Sequence, residues 1–111
     1  MEETTVSQMA QVTPASEPPD LDDLIEAARW RPKFSHVGIP VDVSTKRRRL
    51  GQLLRRRREE LGLTGMDVVR RIQVNQSTVG YAERGATMPH AALDRYLALL
   101  GWRVPEHPSG A

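Results

Sequence analysis

"VVRRIQVNQSTVGYAERG", residues 68–85, decides the fold. Two short stretches of helical pattern flank a four-residue joint, Ile72-Gln73-Val74-Asn75. Just upstream, Thr64 followed by Asp67 has the form of a capping box with Asp in place of Glu. This predicts a helix that starts there and runs through Arg71. Asn75 is a favoured N-cap type and predicts a second helix from Gln76 to about Arg84, which Gly85 ends.

The flanks are helical too. "STKRRRLGQLLRRRREELG", residues 44–62, begins with a Ser/Thr cap and stops at Gly62. Leu50, Leu53, Leu54 and Leu61 share one face. Arg57 falls on that face, with its stem expected to lie along apolar surface and its head in water. Met88-Pro89 opens "HAALDRYLALLG", whose Leu93, Tyr96, Leu97 and Leu100 form a buried face that Trp102 joins. The other reading of these apolar residues is a dimer face.

Toward the N-terminus, "DLDDLIEAARW", residues 20–30, has Asp20 as a cap and acids in its first turn. Leu21, Leu24, Ile25 and Ala28 make a narrow apolar stripe, and Pro32 ends the helix. A helix this short is marginal alone in water, so it either docks on this protein or waits for a partner. "RPKFSHVGIPVDV", residues 31–43, should be mostly extended. The expected organisation is a disordered tail over 1–19 and an acidic helix with an extended linker over 20–43. A compact all-α domain over 44–103 and a short tail over 104–111 follow. A compact part of about 60 residues is only marginally stable alone, which predicts a partner subunit.

Composition narrows the function. The chain has no cysteine, which excludes disulfides and thiolate metal sites and suits a reducing cytoplasm. No apolar run approaches the roughly 20 residues of a membrane span. The acidic, polar start is not a secretory signal. Localisation in the cytoplasm is expected. Five aromatic residues are too few for a single-strand stacking platform. Residues 1–45 carry eight acids and three bases, whereas residues 46–111 carry thirteen bases and six acids. Such a basic half suggests a polyanionic partner, usually nucleic acid, against the plainer reading of a solvated charged surface. His36, His90 and His107 are isolated, so no metal site is expected. No Ser/His/Asp array or Gly-rich phosphate loop is visible, and Asp22-Asp23 sits in an exposed cap. Neither catalysis nor a cofactor is expected.

Two short helices crossing through a tight joint form a helix-turn-helix, whose second helix lies in the DNA major groove. Thr64, Val68, Ile72, Val74, Asn75, Val79 and Ala82 meet its spacing. Gln76, Ser77 and Thr78 fill the first turn of the second helix. Gln pairs bidentately with adenine, and Ser or Thr serves several base edges.

With these residues in place, the sequence resembles the XRE family, the Cro and phage-repressor type of helix-turn-helix, over about residues 46–102. "RRRLGQLLRRRREELGLT", then "VNQSTV" at 74–79, "ERG" at 83–85, Pro89 and "LDRYLALLG" carry the likeness. It implies a four- to five-helix lambda-repressor-like domain, here with an acidic, mostly disordered N-terminal extension. It implies an ion pair between Arg58 and Glu83, base contacts from Gln76, Ser77 and Tyr81, and phosphate contacts from Lys46, Arg47, Thr64, Asn75, Thr78 and Arg84. The partner would be double-stranded DNA, bound by a homodimer, in a bacterial or phage transcriptional regulator of the repressor kind. Four positions depart from the family pattern: Arg57, an apolar position; Gly65, usually Gln; Val69, usually a small alanine; and Gln73, usually a left-handed glycine. The segments "VNQSTVGYAERG" and "ALDRYLALLGWRV" also resemble HigA-like antitoxins. That likeness implies a protein partner, a toxin, held through residues 20–43; the acidic helix could equally bind polymerase, or fold back on the basic helix and block DNA.

Overall fold

The computed structural model describes residues 17–34, 38–86 and 88–104. Most of the tail expected to be disordered, together with His36 and His107, lies outside these residues. Five helices follow in order: α1 Leu21–Arg29, α2 Val41–Glu60, α3 Gly65–Ile72, α4 Gln76–Glu83 and α5 His90–Leu99. No strand occurs among the described residues, and no helix there is long and apolar enough to cross a membrane.

Helix α2 begins at Val41, three residues earlier than the Ser/Thr cap suggested. Pro40, with φ −57°, takes the N-cap position, and its carbonyl accepts from the Ser44 N–H at 3.0 Å. A proline ring pre-sets φ for the entry to a helix, so the extended linker ends at Pro40 and Ser44 and Thr45 are already helical.

Helix α1 docks on this protein, against α2. Leu21, Leu24 and Ile25 are no more than 1% exposed, so the apolar stripe is spent in the chain's own core. Asp20 does not cap α1. Its carboxylate instead accepts from Arg49 Nε at 2.9 Å and Nη2 at 3.2 Å, which holds its pKa below the usual carboxylate value. Glu17, in the expected tail, accepts from the Arg103 backbone N–H at 2.6 Å.

The core gathers Leu50 and Leu54 of α2, Val68 and Ile72 of α3, Val79 and Ala82 of α4, and the inner face of α5. Leu93, Tyr96, Leu97, Leu100 and Trp102 are all 5% exposed or less within the single chain, so they are not presented as a dimer face. Two residues of α2 depart from their expected places. Leu61 lies past the helix end and is 42% exposed. Arg57 does not hold its head in water: its Nε donates to the Leu100 carbonyl at 3.2 Å, and the side chain is 12% exposed.

Helix α4 crosses α2 at Gly51. A Cβ there would lie 2.5 Å from the carbonyl oxygens of both Ala82 and Glu83. Those oxygens belong to backbone and cannot swing aside, so the crossing requires glycine. Gly51→Ala is expected to destabilise the chain by about 1–3 kcal/mol, the usual cost of overpacking, despite alanine's better helix propensity. A urea midpoint measured beside wild type checks this.

Candidate nucleic-acid interface

Helices α3 and α4 make the bend that carries the candidate surface. At the start of α3 both halves of the capping box form: Thr64 Oγ1 accepts from the Asp67 N–H at 3.0 Å, and Asp67 Oδ2 accepts from the Thr64 N–H at 2.8 Å. These backbone and hydroxyl bonds to its carboxylate lower the pKa of Asp67. Asn75 occupies the N-cap position of α4 but makes no side-chain capping bond.

The joint turns at Gln73, with φ 59° and ψ 58°. The Val74 N–H reaches back to the Val69 carbonyl at 3.3 Å, as Leu63 reaches Arg58, Ala86 reaches Tyr81 and Trp102 reaches Leu97. This helix-ending motif needs a left-handed residue. The other three ends use Gly62, Gly85 and Gly101, and Gln73 is the only non-glycine with positive φ among the described residues.

The outer face of α4 is presented to solvent. Gln76 and Ser77 are exposed at its start, Tyr81 is 49% exposed one turn on, and Thr78 is half-buried. Arg84, just past the helix, is exposed, with its guanidinium carbon 5.3 Å from the Tyr81 ring centre. Thr64 and Asn75 are exposed at the two helix starts. The exposed residues of α4 and of the two helix starts therefore carry amide, hydroxyl, phenol and guanidinium groups, a set able to meet base edges and phosphates.

Lys46 and Arg47 find partners on and just after α1. Lys46 Nζ lies 3.0 Å from Asp23 Oδ2 of α1, and the hydrogen bond it donates to this carboxylate raises its pKa. Arg47 is 5% exposed and donates to the Ala27 carbonyl at 3.0 Å and the Trp30 carbonyl at 2.6 Å. Burial, and then the nearby charge of Arg31, lower its pKa. The physical reason is α1: its C-terminal carbonyls need donors, and its acids need cations. Arg48 points the other way, and its Cα would lie 2.8 Å from a Cβ added at Gly85.

The structure brings Arg58 and Glu83 together. Arg58 Nε lies 2.8 Å from Glu83 Oε2 and Nη2 lies 3.1 Å from Oε1, a two-pronged contact with both side chains near one-tenth exposed. Arg58 Nη1 also donates to the Leu63 carbonyl at 2.9 Å, and the Tyr96 hydroxyl donates to Glu83 Oε2. The bond to Glu83 raises the pKa of Arg58, while burial, aided by that carboxylate, drives the Tyr96 phenol far up.

The other departures from the family pattern find plain places. Gly65 is the first residue of α3, with open space around it, and Val69 packs partly buried against the core. Sequence reasoning missed the role of Gly51. The available signal was a lone glycine inside a helical pattern, which usually marks a close approach.

A family model described as a helix-turn-helix domain matches residues 49–107, more than half of the chain. No match to the chain was found among curated proteins or among solved structures.

Gln73→Gly is expected to raise stability by up to ~1 kcal/mol, since glycine adopts the left-handed region without the cost a side chain brings. Thermal unfolding reads this directly. Arg58→Ala is expected to cost about 3 kcal/mol, because it leaves the Glu83 carboxylate largely desolvated and unpaired. Arg58→Lys should recover only part of that loss, since one ammonium cannot span both oxygens.

Proposed function

The chain belongs to the helix-turn-helix domain family, and from that premise we propose that it is a sequence-specific regulator of transcription that binds double-stranded DNA with α4 in the major groove. The observation that carries this reading is the division of α4 into two faces. Val79 and Ala82 are buried and Glu83 is tied to Arg58, while Gln76, Ser77 and Tyr81 face solvent. Gln76 and Ser77 would read base edges from the first turn, and Tyr81 would touch a thymine methyl or a phosphate one turn later. Thr64, Asn75 and Thr78 would hold phosphates at the two helix starts. Arg47, buried against α1, is left out of this phosphate set, whereas Lys46, in a part-exposed ion pair with Asp23, stays in it.

The repressor-like XRE type fits the pieces of sequence that carry that likeness. Two copies related by a two-fold axis would place their α4 helices about 34 Å apart on a pseudo-palindrome. The antitoxin-like alternative would have to use the outer, acidic side of α1 and the exposed Phe34, Ile39 and Val41, because the apolar stripe of α1 is already buried.

Fluorescence anisotropy with the duplex upstream of the protein's own coding region, against random duplex, tests the proposal. Wild type is expected to prefer the upstream duplex, and Gln76→Ala to lose about tenfold on it while binding random duplex as before. Weak and equal binding to both duplexes that disappears as salt rises would mean phosphate attraction alone, and would sink the reading.

A further inference from the structure

Arg84 differs from the arginines that pack into the domain. Arg47, Arg57 and Arg58 place their guanidiniums on backbone carbonyls or a carboxylate. The Arg84 guanidinium has no such partner among the described residues. It lies instead over the Tyr81 ring, 5.3 Å from its centre. It also folds back along α4, so that a Cβ added at Gly80 would stand only 3.1 Å from its Nη1. The missing side chain at Gly80 and the ring of Tyr81 thus form a seat for the guanidinium on the outer face of the helix.

The direction of this side chain matters. Gly80 and Tyr81 lie three and four residues after Ser77, and Arg84 lies four and three after them, so the four share one stripe of the helix. Arg84 is carried back over that stripe, toward the end that bears Gln76 and Ser77, and away from the loop that follows. A guanidinium drawn to a ring face in this way spends no N–H group on a carbonyl or carboxylate. Two parallel N–H groups match the N7 and O6 acceptors of guanine in the major groove.

We infer that Arg84 reads a guanine in the bound DNA, with Tyr81 and Gly80 as positioning residues that hold its fork in the groove-facing orientation. This deepens the proposed function and rests on it. It assigns Arg84 to a base and not to the phosphate contact that the family likeness implies.

The test starts from a preferred duplex selected by the full chain from a randomised pool. Each guanine is then replaced singly by 7-deazaguanine, which removes the N7 acceptor. One replacement is expected to weaken wild type about tenfold and to have no effect on Arg84→Ala. Tyr81→Phe keeps the ring and should keep that sensitivity, whereas Tyr81→Leu should lose it. Gly80→Ala should reduce it while unfolding no earlier than wild type, since alanine suits a helix. Arg84→Ala that weakens every duplex alike, with the guanine sensitivity intact and a shallower salt dependence, would make Arg84 a phosphate clamp and overturn the assignment. A preferred duplex that depends on Gln76 but has no guanine coupled to Arg84 would overturn it too, leaving the regulator standing. Absence of any preferred duplex would overturn both.

Discussion

Three helices meet at one charged contact. The Arg58 guanidinium from α2 grips both oxygens of Glu83 at the end of α4, and the Tyr96 hydroxyl of α5 closes on the same carboxylate. Side chains this far from water cannot lose a partner cheaply, so the contact fixes how α4 lies on α2. Gly51, two turns earlier on the same face of α2, lets the two backbones come close enough for the fork to reach. The exposure of Gln76, Ser77 and Tyr81 follows from this arrangement. Once Glu83 and the buried Val79 and Ala82 are held, helical geometry leaves those three on the outside.

A run of arginines reads most simply as a surface for polyanions, but much of this one is spent inside the protein. Arg47 closes the end of α1, Arg57 the end of α5 and Arg58 the turn after α2. Arg95 donates to the Ile72 carbonyl at the end of α3, at 2.9 Å. Helix C-termini leave carbonyls without intrahelical partners and carry partial negative charge, and a planar donor on a long stem suits both needs. Arg49 and Lys46 answer the acids of α1, and Arg29 answers Asp94 at 2.7 Å. The basic half of the sequence is therefore far less basic as a surface than as a string.

This division explains which features could be read from the sequence. The Thr64–Asp67 capping box involves residues three apart, so its chemistry is local and legible. Gly62 and Gly85 end their helices for an equally local reason. The Arg58–Glu83 contact spans 25 residues and was accessible only through resemblance to a family. Lys46, Arg47 and Arg48 stand side by side and look alike as letters, yet each step around a helix turns a side chain by roughly 100°. Which of them faces α1, which faces the core and which faces α4 depends on a packing partner 20 residues upstream for Arg47. No local pattern encodes that. Asn75 shows the reverse error: it is the right type in the right place, but its side chain makes no bond there.

Because α4 is held entirely through its inner face, its outer face bears little of the cost of folding. Val79, Ala82 and Glu83 supply the grip, and Gln76, Ser77 and Tyr81 look outward with much of their surface in solvent. The domain can accordingly be treated as a fixed mount with a replaceable outer edge. Under the proposed function, a lineage of such chains would change which DNA it answers to by a handful of substitutions along one stripe, without first having to solve the folding problem again.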